Sequence, residues 1–525
     1  MKKLLALLLA LGLVLMCGAS LAEDEKVFKL TAAPEGIGDK VGYPWQNMAL
    51  TESLLWRTMF LADTDLTTLK DDLARADYTL SDDSLTYTFE MTEGSKWSDG
   101  EPITAQDVVF SIHLNLKAAI SNGIFTTAFS KIEGAEAYKA GEAESISGIT
   151  ADGSTITVKL TSPYSAFCSV LAQFAIMPEH VLKDQDPLEF YNSDFWTKPV
   201  SSGLYRLDEM NVGNYYTLVP NEHCNRTAPK IQKVVVSFVN DSLIAAQSGE
   251  LYYMNTNVPA TIAELQKIDS MTMYPVDILF FRYFIVNMKG TDGNENPAMQ
   301  DVRVRQAILH AIDRETLVES LFPGLGTVAN SGVPNSYAEY NGVAYEYNPE
   351  KAKALLEEAG YDFDRTFRIL YYYSDQNSID FMEAIAYYLG EVGMKVELTQ
   401  SSQGTTDLFQ TRNYDVGYKG LSAFNISEWY GEYGSAHANF RNIFGGDTAF
   451  DELITEYAAA ASAEEASAVL VKMEEKEQEL LYKLPLFTLG NNVFVNTDKV
   501  SVPEGTRMGN PWYRTDIGFE NWELK

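Results

Sequence analysis

Between Asn348 and Gln400 the chain reads, in order, "NPEKAKALLEEAGY", "RILYYYSD", "IDFMEAIAYYLGEVG" and "KVELTQ". The first segment is a complete helix signature: Asn348 as N-cap, Pro349 at the first helical position, Gly360 as the stop. The second is an apolar run of strand length, the third is helical in period, and the fourth is a strand. Strand–helix–strand places neighbouring strands parallel, because only a long crossover returns the chain to the same end of a sheet. The chain is thereby committed to α/β packing, with helices covering the sheet.

At 525 residues the chain exceeds one ordinary domain and predicts two large lobes or about three domains. With 46% apolar and 22% charged residues, it is globular in composition throughout. No repeat, low-complexity tract or Pro/Gly/Ser linker interrupts it, so domain boundaries must run through ordered crossing strands. "FFRYFIVNMK", Phe280 to Lys289, is an apolar strand of that kind. Residues 27–32, "VFKLTA", read as a first strand, "WRTMFLAD" as a helix leading into a turn, and "SLTYTFEM" as a half-buried strand. "SSGLYRLDEMNVGNYYTLVPN" reads as two strands around Gly213-Asn214. In "DVRVRQAILHAIDRETLVESLF" Asp301 and Asp313 each cap a helix. Asp451 to Leu480 predicts long helices.

The N-terminus, "MKKLLALLLALGLVLMCGASLAEDEK", has two lysines, an apolar core and small residues before an acidic run, the pattern of an export signal. Two processing sites are readable, cleavage after Ala22 and lipoprotein-type processing at Cys17. No later stretch is long and apolar enough to span a bilayer. Loss of Lys2 and Lys3 with residues 1–22 leaves 38 basic against 73 acidic side chains, a formal charge of -35. That charge repels nucleic acid and anionic lipid. Cys168 and Cys224 suit either a disulfide or two thiols.

"KWSDGEPITAQDVVF", Lys96 to Phe110, gathers three carboxylates, the type of group that acid–base catalysis needs. Each polar residue also has a structural use. Ser98-Asp99-Gly100 is turn chemistry, Pro102 keeps Glu101 extended, and Thr104 with Asp107 forms a capping box. The five histidines are scattered without metal-ligand spacing, and neither a phosphate-binding glycine loop nor a nucleophile elbow occurs. "GIGDKVG", Gly36 to Gly42, resembles a dinucleotide fingerprint, but its last glycine is one residue late. Neither a metal nor a cofactor is expected.

The segments "SDDSLTYTFEMTEGSKWSDGEPITAQDVVFSI", "PVSSGLYRLDEM", "DVRVRQAILHAIDRETLVESLF" and "YNPEKAKALLEEAGY" resemble, in order and spacing, the family 5 solute-binding proteins of ABC importers, which include oligopeptide-, dipeptide- and nickel-binding proteins. The resemblance implies a two-lobed periplasmic-binding-protein fold, type II-like and of the large class, with a domain inserted in the first lobe and the ligand cleft between lobes. By similarity lobe I comprises residues 23–55, 175–275 and 481–525, the inserted domain 56–174, and lobe II 276–480. A ligand touching both lobes biases an open–closed equilibrium, and a membrane permease with its ATPase receives the closed form.

Peptide-binding members place an aspartate for the peptide's amino group shortly after a "YDV…G" strand. Here, in "NYDVGYKGLSAFNISEWYGEYGSAHANF", that place falls at Phe424-Asn425, and neither residue is acidic. Glu428 is the acid nearest by. Trp429, Tyr430 and Tyr433 suit either stacking on a ligand or filling a core. By family analogy Tyr43 and Trp45 face the cleft, with Glu35 on the same loop offering backbone or carboxylate contacts; Tyr373 and Gln403 flank the opposite wall, and Arg441 suits either a ligand carboxylate or a surface ion pair. The implied function is an exported, monomeric, non-enzymatic receptor, periplasmic or at the cell surface, for peptides. A receptor for a metal chelate or oligosaccharide, an exported hydrolase and a sensory or chaperone module are the alternatives.

Overall fold

The computed structural model describes residues 26–32, 41–46, 48–62, 69–164, 166–290, 292–293, 295–423, 425–460, 463–509 and 518–525. Its organising element is a pair of long strands, Met271–Val286 and Lys483–Asn496. They run antiparallel from Met271 opposite Asn496 to Ile285 opposite Lys483, with a break in register between Val276 and Phe280. Sixteen residues of strand reach about 50 Å, enough to pass from one body of the molecule to another. One end of the pair takes up the short strand Tyr253–Thr256. The other takes up Val416–Ser422, followed by Thr366–Tyr371 and Lys395–Gln400. These last three are parallel, as the alternation around residues 348–400 predicts, and the helices Pro349–Glu358 and Gln376–Glu391 are capped by Asn348 and Asp375.

A second sheet pairs Phe28–Ala32 in parallel with Val234–Phe238, then Tyr215–Pro220 and Tyr205–Asn211 antiparallel. A third, made of Thr79–Leu80, Thr86–Glu90, Thr155–Lys159 and Ile149–Asp152, stands on its own between them in sequence. In Thr86–Glu90 only Tyr87 and Phe89 are buried, the alternation of a sheet with one covered face. The acidic stretch near the C-terminus forms the helices Asp451–Ala459 and Ala463–Leu480.

"WRTMFLAD" is not a helix. The helix is Leu50–Leu55, just before it, and Phe60–Ala62 pairs as a strand with Leu69–Asp71. The segment has no polar face to leave in water: Trp56, Arg57, Thr58, Met59 and Phe60 are all buried. Arg57 reaches Asp72 at 2.6 Å and also donates to Ser95 and Asn225, partners reached from extended backbone. Cys168 and Cys224 are free thiols. Among the described residues no helix is long and apolar enough to cross a membrane, and no His/Cys/Asp/Glu group is placed to hold a metal. The leader, Cys17 and most of "GIGDKVG" lie outside the described residues.

The acidic run Lys96–Phe110 folds as turn plus capped helix. Asp107 Oδ2 accepts from the Thr104 N–H at 2.7 Å and hydroxyl at 3.0 Å, and its Oδ1 accepts from the Glu179 N–H at 2.9 Å. Asp107→Ala removes a cap and strands a second segment's N–H together, so a loss of about 2 kcal/mol in urea denaturation is expected. A loss under about 0.5 kcal/mol would show that water replaces the carboxylate.

Candidate functional site

The strand Val416–Ser422 ends on the short helix Ile426–Gly431, which Asn425 caps by accepting the Ser427 N–H at 3.0 Å. The inner face of that helix is fixed by Glu477, a carboxylate with no exposed surface. Its Oε1 accepts from Trp429 Nε1 at 2.8 Å and the Tyr433 hydroxyl at 2.9 Å, and its Oε2 from the Gly332 N–H at 2.8 Å and the Tyr430 hydroxyl at 3.1 Å. Gly332 has to be glycine, since a Cβ there would stand 2.1 Å from the Trp429 ring. With Trp429 and Tyr430 turned inward, the helix presents Ser427, Glu428 and Gly431 outward.

These three line a cavity of about 650 Å³. The same wall continues through Glu432, His437 and Met473, with Ile454 and Tyr457 from the helix Asp451–Ala459. The opposing wall comes from a distant part of the chain: the start of the helix Gly123–Phe129, Lys131, and Pro163-Tyr164. Lys131 lies 5.2 Å above the Tyr164 ring. The volume is that of a small-molecule site, and the lining mixes aromatic surface with a few charged groups, as such sites do.

Under this wall lies a buried ion cluster. Glu432 is 2.9 Å from Lys419 and 2.8 Å from Lys483, and the Tyr283 hydroxyl donates to it at 2.5 Å. Burial pushes the Glu432 carboxyl up, but the two ammonium groups outweigh it and hold the group at about 2. Burial in turn pushes Lys483 down to about 8 against the pull of Glu432 and Glu477. Desolvation also lowers His437 below its ordinary value. Tyr283 and Lys483 belong to the two crossing strands, so the cluster ties those strands to the cavity wall.

Of the residues singled out from the sequence, Glu428 lies in the cavity wall. Asn425 is behind it, engaged as a cap. Trp429 fills the core. Tyr43 and Trp45 do not face a cleft: Tyr43 donates to the Ile120 carbonyl and packs among Phe190, Tyr191 and Trp196, while Trp45 donates to the Ala175 carbonyl and stacks on Phe174. For these three the core-filling role of an aromatic prevails. Tyr373 is half-buried at the end of Thr366–Tyr371, Gln403 is exposed beyond Lys395–Gln400, and Arg441 is exposed. Glu35 and Phe424 lie outside the described residues. Sequence reading missed Lys131, Tyr164 and Tyr457, which sit in no motif and are brought together only by the packing of distant segments.

The family described as bacterial extracellular solute-binding proteins, family 5 Middle, matches residues 68–451. A Brucella ovis protein named as a candidate ABC transporter peptide-binding protein is 27% identical over 364 residues, 66% of this chain and 64% of that protein. The chain thus spans just under two thirds of the length of that relative. Among solved structures, HbpA2 from Haemophilus parasuis superposes with a TM-score of 0.77 at 20% identity, over 96% of this chain and all of that one. The periplasmic murein tripeptide binding protein MppA, in an unliganded open form, superposes with a TM-score of 0.76 at 22% identity, over 94% and 96% of the two chains. The fold is the two-lobed α/β architecture of these binding proteins.

Proposed function

This chain belongs to the bacterial extracellular solute-binding proteins of family 5, and we propose from that premise that it is the solute receptor of an ABC importer for peptides. On this reading it is exported, makes and breaks no bond, and hands its ligand to a membrane permease driven by an ATPase. The observation that carries it is the cavity, whose two walls come from segments far apart in the chain. A solute touching both walls is held best when they approach, so binding shifts the population toward closure. Glu428 takes a cationic group, and the Tyr164 and Tyr457 rings offer flat apolar faces.

Thermal melting of the purified protein with pools of short peptides, metal chelates and oligosaccharides tests this. A peptide at 100 times its Kd adds about 2.7 kcal/mol, a shift of several degrees. Glu428→Gln should weaken a free-amine peptide about 30-fold and spare its N-acetylated form, as expected when a buried charge pair loses one partner. Shifts from chelates or sugars with none from peptides would sink the peptide reading. Shifts from no solute would sink the receptor.

A further inference from the structure

Arg282 stands on the crossing strand Met271–Val286, where the register shifts a second time, between it and Tyr283. It is 8% exposed, and among the described residues its guanidinium has no hydrogen-bond acceptor and no ion-pair partner. Nη1 in particular is enclosed without one. What holds the group is flat aromatic surface: its central carbon lies 4.3 Å from the Phe280 ring centre and 4.1 Å from that of Tyr373. Cation–π contact explains why the side chain stays there. It leaves Nη1 without an acceptor among the described residues. A buried guanidinium normally meets a carboxylate in the protein, as Arg57 meets Asp72 here. Asp375, two residues beyond Tyr373, is committed to capping the helix Gln376–Glu391 through the Ser378 N–H.

A second donor points to the same place as Arg282. Across the ladder Arg282 pairs with Gly420. A Cβ at Gly420 would come within 2.2 Å of Arg282 Nη1 and 2.5 Å of the Tyr373 hydroxyl, so these two donors converge on one point that only glycine leaves clear. The hydroxyls of Tyr372 and Tyr373 lie 3.3 Å apart, and a pair of hydroxyls sharing one bond keeps one O–H free to donate. The place is the carboxyl-terminal edge of the parallel strands Thr366–Tyr371 and Val416–Ser422, beside exposed Ser422, and crevices at such edges are where open α/β sheets bind ligands. Leu421, next to Gly420, already lines the cavity described above, with Arg282 on the opposite face of the same strand end.

We infer that Arg282, with the Tyr373 hydroxyl, is the receptor for a carboxylate of the transported solute. The inference deepens the proposed function and rests on it: Arg282 takes a carboxylate at the strand end, on the other face of the sheet from the cavity that Leu421 and Glu428 line. The bound carboxylate supplies the acceptor that Nη1 lacks among the described residues.

One peptide pool in two forms, free acid and C-terminal amide, tests this by calorimetry with wild type, Arg282→Met and Arg282→Lys. Wild type should bind the amides about 30-fold or more weakly than the acids. Arg282→Met should bind acids and amides alike, and should melt no lower than wild type without ligand, since it loses a desolvated charge with no ion-pair partner among the described residues. Arg282→Lys should keep some preference for the acids, since a point charge remains without the fork. Equal wild-type affinities for acid and amide would overturn the assignment. So would an acid preference kept in Arg282→Met together with a lower melting point, because the arginine would then be packing alone. If Arg282→Met does not fold, the wild-type comparison and Arg282→Lys still decide. Binding of neither form overturns the peptide reading and this inference with it, whereas binding without discrimination overturns Arg282 alone.

Discussion

Replacing Glu432 with leucine should cost about 3–5 kcal/mol in urea denaturation at pH 7, because it leaves two buried ammonium groups without their shared carboxylate. Lys483 has no exposed surface and Lys419 little. The sign of the pH dependence follows from the shifts. Glu432 sits at about 2 when folded, below its unfolded value, so its contribution is present above about pH 4.5 and is lost as pH falls toward 2. In Glu432→Leu that acid limb disappears. Lys483 is at about 8 when folded against 10.5 unfolded, so the unfolded chain holds more protons between those values and stability from this group rises with pH there. Without Glu432 the folded value drops further, and the rise should begin at lower pH than in the wild type. The double variant Glu432→Leu, Lys483→Met should recover part of the loss, since it removes the fully enclosed ammonium as well and leaves only Lys419, the more exposed of the two. A single-variant loss below about 1 kcal/mol would mean that water reaches the cluster.

The sequence announced the scaffold and was nearly silent on the site, and the difference is physical. Caps, turns and strand periods are local: Thr104 and Asp107 are three residues apart, Asn348 and Pro349 adjacent, and each acts where it stands. Parallel pairing of Thr366–Tyr371 with Lys395–Gln400 follows from the intervening helix alone. A cavity wall is not local. Lys131 and Tyr164 meet Glu428 and Tyr457 only after three stretches of chain have packed. Aromatics gave the least guidance, since the same ring chemistry that stacks on ligands fills cores: Trp45 and Trp429 lie in the core, while Tyr164 and Tyr457 line the cavity. "WRTMFLAD" gives no clear period because its polar residues Arg57 and Thr58 are buried along with its apolar ones, and the buried Arg57–Asp72 pair accounts for its extended form.

The largest effect is expected at Glu477. Leucine there would strand the donors of Trp429, Tyr430, Tyr433 and the Gly332 backbone in a place that water does not reach. Each unsatisfied buried donor costs about 1–3 kcal/mol, so a loss of about 5 kcal/mol is expected, comparable to the whole stability of many proteins. Glutamine should cost less, about 2 kcal/mol: its carbonyl serves two donors and Tyr430 can turn its hydroxyl to accept, but the Gly332 N–H has no such freedom. Burial raises the Glu477 carboxyl against the pull of its donors and Lys483, so its protonated form is favoured by folding and that contribution fades as pH rises above its unfolded value. Glu477→Gln should therefore flatten stability against pH in that window. Because Glu477 also holds the helix that presents Ser427 and Glu428 to the cavity, Glu477→Gln should weaken solute binding more than Asp107→Ala, whose carboxylate lies elsewhere in the fold, at comparable loss of stability. Equal binding by the two variants would show that the cavity wall keeps its shape without this carboxylate.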